Sequence, residues 1–210
     1  MGPFVILAGV FAVFIPALML PGPDFIAVVR SSMTRGTVAG LWTTLGVSLC
    51  LGIYAALSLA GLSAILIEYQ LLAWAVRILG GCYLIYLGFK LLFAQPVRLE
   101  MREHGDKPKG NPLVFGFLVT STNPKAIVLF TSVFATAVTE STPFWLMLLM
   151  VVLVIGSALV WYTLVTLFMS SAPIIRRFQH LQHWIERAAG VCFVAIGGRI
   201  LSDARNPVAP

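Results

Sequence analysis

Residues 21–25 read PGPDF, inside an apolar stretch that runs FVILAGVFAVFIPALMLPGPDFIAVV over residues 4–29. Two helix breakers and a carboxylate are out of place in a helix built for lipid. Proline lacks the amide donor and collides with the preceding turn, so Pro21 and Pro23 interrupt the helix, and Pro23 is suited to start a new one. In hydrocarbon the backbone groups released by such a break are tolerated only where protein covers them or where they line a polar cavity. The stretch therefore predicts a membrane protein with an interior-facing break.

The rest of the chain agrees. Of its 210 residues 59% are hydrophobic and 10% charged, where a soluble domain carries about 25% charge. Apolar segments fall near 4–29, 38–67, 71–94, 112–138, 143–170 and 184–201, each close to the ~20 residues that cross a bilayer. The expected fold is all-α, with six transmembrane helices in one transporter domain over 1–210. Its parts are a first repeat over 1–94, a polar loop QPVRLEMREHGDKPKG at 95–110, and a second repeat over 111–203. The first twenty residues lack Lys and Arg and end without a small-residue cleavage site, so the first segment is expected to remain in the mature chain. Cys50, Cys82 and Cys192 lie in apolar segments without CxxC spacing, which suggests packing rather than disulfides or metal.

The formal charge of +6 does not point to nucleic acid, because the basic residues are sorted by loop rather than gathered on a face. Arg30 and Arg35, then Arg98, Arg102, Lys107 and Lys109, then Arg176 and Arg177 occupy alternate connections. The positive-inside rule places those connections in the cytoplasm and both termini outside. In an alternative layout the first segment folds back at PGP, which moves the N-terminus inside and leaves the other loops in place.

Residues 74–91, WAVRILGGCYLIYLGFKL, align with 184–201, WIERAAGVCFVAIGGRIL. Trp74 matches Trp184, Arg77 matches Arg187, Gly80 matches Gly190, Cys82 matches Cys192, Gly88 matches Gly198 and Leu91 matches Leu201. Segments three and six thus read as repeats. Segment four contains TSTNPKAIVLF, a proline beside a charge in an apolar run, which mirrors PGPDFIAVV in segment one. With three spans per copy the second must sit inverted, the layout of many secondary transporters. Helices one and four are then broken at PGP and NP.

Asn123 and Pro124 make an N-cap followed by proline at the first helical position. Pro23 and Pro124 would start two half-helices whose N-termini, with their amides and partial positive charge, suit the carboxylate of a small substrate. Asp24 and Lys125 stand at equivalent places beside Gly22 and Asn123. A charge at mid-membrane costs at least ~2.5 kcal/mol on insertion scales, so neither is expected to face lipid. Asp24 either favours its own helix N-terminus, pairs with Lys125, or joins Lys125 in binding the ammonium and carboxylate of a zwitterion. For Lys125, which opposes the helix dipole, snorkelling is a further reading.

PGPDFIAVVRSSMTRGTVAGLWTTLGVSL, followed by STNPKAIVLFTSVF, resembles the paired signature of the LysE/RhtB superfamily of bacterial amino-acid exporters, from about residue 4 to residue 201. Within it, the Pro-Gly-Pro-Asp-Phe form and the Asn-Pro-Lys-Ala-Ile stretch are most similar to the threonine efflux proteins. The resemblance implies export of a small neutral amino acid (threonine, homoserine or serine) across the bacterial cytoplasmic membrane. It further implies exchange against protons, with the proton motive force in place of any cofactor. It carries over Pro21, Gly22, Pro23 and Asp24 in the first half and Asn123, Pro124 and Lys125 in the second. Other branches have Asn where this chain has Asp24.

Lesser candidates have simpler explanations. Gly36 and Gly40 spell GxxxG, and Gly46, Ser48 and Gly52 continue a small-residue segment that suits helix packing within the chain, with a homo-oligomer interface as the alternative. Trp42, Tyr54, Trp161 and Tyr162 are candidates for a cavity wall or for interfacial belts. Arg77, Arg187 and Lys90 fit snorkelling. His104, His180 and His183 lack the companions of a metal site. Two other classes compete with an exporter. A membrane-embedded hydrolase would need a base beside Ser31, Ser32, Ser121 or Ser171, yet no His falls in an apolar segment. A passive amino-acid channel would share the paired breaks and differ in conducting without coupling.

Overall fold

The computed structural model describes residues 2–68, 70–94, 110–123, 126, 129, 130, 132–134, 142–168 and 172–204, and everything ordered among them is helical or a short connection. The helices are α1 (Pro3–Met19), α2 (Pro23–Arg35), α3 (Thr37–Glu68), α4 (Gln70–Leu92), α5 (Pro112–Ser121), α6 (Phe144–Phe168) and α7 (Ala172–Ala204). Residues 126, 129, 130 and 132–134 are helical as well, beyond the end of α5.

The first apolar segment is two helices. Its chain leaves the α conformation at Leu20 (φ −66°, ψ 132°), as a residue before proline is pushed to do. Helix geometry resumes at Pro23 with Gly22 extended before it, and the pair is bent by 47°. Pro16, by contrast, sits within α1 without ending it.

α3 and α6 each contain 25 residues long and apolar enough to span on their own, over Thr37–Gly61 and Phe144–Phe168, and the bent α1 and α2 pair is together long and apolar enough for a broken third span or a re-entrant loop. Ile78–Leu92 and Pro112–Ser121 are apolar but shorter. α6 shows why these helices belong in lipid. Leu146, Met150, Val154, Ala158 and Tyr162 form a buried stripe at spacing four, the row along which helices pack into one another's grooves. Leu148, Val152 and Val160, on the opposite side, are exposed. A helix apolar on both its packed and its exposed face is a membrane span.

Glycines set the closest approaches. A methyl at Gly46 would collide with the Leu113 carbonyl of α5, and one at Gly116 with the Thr43 carbonyl of α3, so these two helices meet backbone to backbone. α4 and α7 run antiparallel around two similar contacts, Gly81 against Gly197 and Gly88 against Gly190.

The structure corrects the sequence reading in two places. Gly36 is not part of a helical GxxxG: it has φ 87°, caps α2 by donating its N–H to the Ser32 carbonyl, and separates α2 from α3. That left-handed turn is open to glycine and strained for other residues. Gly40, Gly46 and Gly52 do pack within the chain, on α2 and α6, on α5, and on Ile155 of α6. The last helix begins at Ala172 rather than near 184, because IIRRFQHLQHW contains no breaker and Pro173 suits a helix start.

Candidate functional site

The break in the first segment and the region ahead of the second come together at Asp24. On α2 it occupies the first turn, and it is 8% exposed. Thr120 Oγ1, in the last turn of α5, donates to Asp24 Oδ1 at 3.0 Å, and Asn123 Nδ2 donates to Asp24 Oδ2 at 3.2 Å. Thr120 is fully buried and Asn123 is 7% exposed. Each oxygen of a carboxylate held near the middle of the bundle thus has a donor from the other half of the chain, as a buried charge requires.

Local sequence explains why those donors are available. α5 ends at Ser121, Thr122 adopts φ −98°, ψ 2°, and its N–H still reaches the Leu118 carbonyl. Asn123 donates its N–H to the Thr120 carbonyl and accepts from the Ala126 N–H. With its backbone so engaged, the Asn123 side chain is left to cross to Asp24. Pro124 and Lys125 lie outside the described residues.

Gly22, Asp24 and Asn123 line one cavity of about 30 Å³, walled by Phe14, Leu51, Phe130 and Tyr162 among others. The Phe14 and Phe130 rings stand 5.5 Å apart between centroids, closing α1 against the helical residues after the second break. That volume suits a water molecule or two. It is too small for an amino acid. Pro21 and Gly22 are half-buried and Pro23 is exposed. The N-terminal end of α2 faces the same space and favours negative charge there.

Of the aromatic candidates, Tyr162 is buried in the cavity wall. Tyr54 donates to the Ser121 carbonyl at 2.7 Å, beside the site. Trp161 is half-buried and Trp42 exposed. Arg187 and Lys90 are exposed, whereas the side chain of Arg77 lies outside the described residues. The His183 and Trp184 rings have centroids 5.1 Å apart and are tilted by 45°. His104 and the side chain of His180 are outside the description. Among the described residues no cluster of His, Cys, Asp or Glu could hold a metal.

Sequence reasoning passed over Thr120. Its signal was present in VTSTNPK, where three consecutive hydroxyls precede the break. Which of them faces inward depends on where α5 stops.

A family model described as LysE type translocator matches residues 15–204. The threonine efflux protein of Escherichia coli K12 is 29% identical over 189 residues, covering 88% of this chain and 92% of that protein. That of Salmonella typhimurium is 28% identical over 194 residues, with the same coverage. An uncharacterized membrane protein of Haemophilus influenzae is 28% identical over 200 residues, covering 91% and 93%. No solved structure matches.

Proposed function

The chain belongs to the LysE type translocator family, and from that premise we propose that it exports a small neutral amino acid, threonine or its near relatives homoserine and serine, across the bacterial inner membrane in exchange for protons. It is a multi-pass membrane transporter and not an enzyme. The observation that carries the reading is the placement of Asp24, a buried carboxylate lining a cavity at a helix break and held by donors from the opposite half of the chain. An ionisable residue inside a membrane bundle marks a substrate or proton pathway.

The chemistry follows from those groups. Asp24 offers the one negative charge that the substrate ammonium needs, and the N-terminal end of α2, with Gly22 open to close approach, favours the substrate carboxylate. Asn123 and Thr120 hold the Asp24 carboxylate when neither ammonium nor proton occupies it. Lys125 is proposed as the counterpart cation at the second break. Ammonium and proton compete for one carboxylate, and that exclusion is the basis of exchange. Two inverted repeats, with helices one and four broken at PGP and NP, account for the pairing, and antiparallel packing of α4 on α7 is compatible with them.

A passive channel is the alternative reading, and it would conduct without coupling to protons. Counterflow in proteoliposomes loaded with single amino acids tests the proposal. Threonine, homoserine or serine should exchange, at a rate that follows an imposed pH gradient. Conductance without such dependence would favour the channel, and no exchange of any small neutral amino acid would end the substrate assignment.

A further inference from the structure

Between Asp24 and the end of the bundle that carries Arg30 and Arg35, α2, α3 and α6 bury hydroxyls where a lipid-solvated core would hold aliphatic groups. Ser31, Ser32, Thr43, Thr44, Ser48 and Thr166 are each at most 5% exposed. Ser31 and Ser32 lie about two turns beyond Asp24 on α2, roughly 11 Å along the axis at 1.5 Å per residue. Thr43 Oγ1 donates to Ser31 Oγ at 2.7 Å, Ser32 Oγ donates to the Thr166 carbonyl at 3.1 Å, and the Thr44 and Thr166 hydroxyls share a hydrogen bond of 3.3 Å. Ser48 stands one turn beyond Thr44, towards Leu51 in the cavity wall.

Ordinary helix adhesion explains the bonded hydroxyls. It does not explain Ser48. That side chain is fully buried, yet its Oγ has no hydrogen-bond partner, not even the carbonyl a turn earlier that a helical serine usually takes. An alanine there would avoid the cost of an orphaned donor. Thr166 joins the seam at three points: its carbonyl accepts from Ser32, its hydroxyl meets Thr44, and its methyl fills the space above Gly40, where an added Cβ would lie 2.7 Å away. Displacing this one residue breaks all three of these contacts at once, one set with α2 and one with α3.

We propose that this seam is the closed passage from the cytoplasm to Asp24, latched by Thr166, and that Ser48 and Thr44 hydrogen-bond the polar ends of a small zwitterionic amino acid when α6 parts from α2 and α3. The inference rests on the export reading, and the charge bias of the loops puts this end of the bundle in the cytoplasm.

The test is thiol accessibility in the full-length protein, reconstituted after Cys50, Cys82 and Cys192 are replaced by alanine. Ser48→Cys is compared with Leu84→Cys, a fully buried position on α4 away from the seam. A small charged methanethiosulfonate reagent should modify the Ser48 variant at least ~tenfold faster, since a populated opening exposes a site far more often than unfolding does. Threonine should slow the reaction. Thr166→Val, which keeps the shape and removes the hydroxyl, should raise the ratio of the two rates, whereas a merely adhesive Thr166 would raise both rates alike. Equal reactivity at the two positions overturns the passage. Fast modification that threonine, homoserine and serine all fail to slow supports the passage and overturns the substrate assignment instead.

Discussion

Asn123 and Asp24 are 99 residues apart in the chain and joined by a hydrogen bond of 3.2 Å. The side chain that follows α5 is thereby fastened to the side chain that opens α2. Because Thr120 takes the other carboxylate oxygen, neither donor alone holds the site.

Asn123→Ala and Thr120→Val should each lower stability in detergent and slow export. Hydrogen bonds to a charged group contribute about 1.5–3 kcal/mol each. Because both donors serve one carboxylate, the double variant should depart from the sum of the single effects. Thermal unfolding of the four proteins measures the coupling. Strict additivity would mean that the two donors do not act on a common carboxylate.

Asp24→Asn and Asp24→Ala separate geometry from charge. Asn keeps an acceptor of the same shape, and the Thr120 hydroxyl can reverse to suit it, so folded protein should be recovered near the parent level. Export should fall at least ~tenfold and lose its pH dependence, as expected when a group of the proton pathway is removed. Asp24→Ala should lose folded protein as well. Unchanged transport and pH dependence in Asp24→Asn would relocate the coupling site.

At the α4 and α7 contact an added Cβ at Gly88 would sit 2.8 Å from the Gly190 carbonyl, and one at Gly190 would sit 2.8 Å from the Gly88 carbonyl. Gly88→Ala and Gly190→Ala should each destabilise by about 1–3 kcal/mol through overpacking. Gly156→Ala on α6, where a Cβ would meet nothing within 4 Å, should be neutral or stabilising by up to ~1 kcal/mol. Comparable losses at all three sites would show that close approach at Gly88 and Gly190 does not set the cost.

Topology is open to direct labelling. With the three native cysteines removed, His104→Cys should resist an impermeant thiol reagent in intact cells and react in inside-out vesicles. Labelling in intact cells would reverse the orientation of the 95–110 loop.

The breaks were legible in the sequence because Pro-Gly-Pro at 21–23 and Asn before Pro at 123–124 disfavour a continuous helix locally, whereas the lone Pro16 is carried within α1. Asp24 and Asn123 could be named for the same reason, as polar residues stranded beside those breaks. What joins them was not legible. Thr120 reaches Asp24 only because α5 stops where it does, and the periodicity of a segment apolar on all sides carries no inward direction. The spacing of Gly36 and Gly40 likewise suggested one continuous helix, since a left-handed glycine cap and a packing glycine look the same as letters. The hydroxyl seam was hidden for a related reason: Ser31, Thr43 and Thr166 are scattered through three segments and become neighbours only after folding.

The reciprocal contact of Gly46 with Leu113 and of Gly116 with Thr43 brings the backbones of α3 and α5 together at two points. Tyr54, bonded to the Ser121 carbonyl, pins the far end of the same pair. Thr120, carried at the tip of α5, is thereby offered to Asp24 from a closely packed pair of helices rather than from a loop.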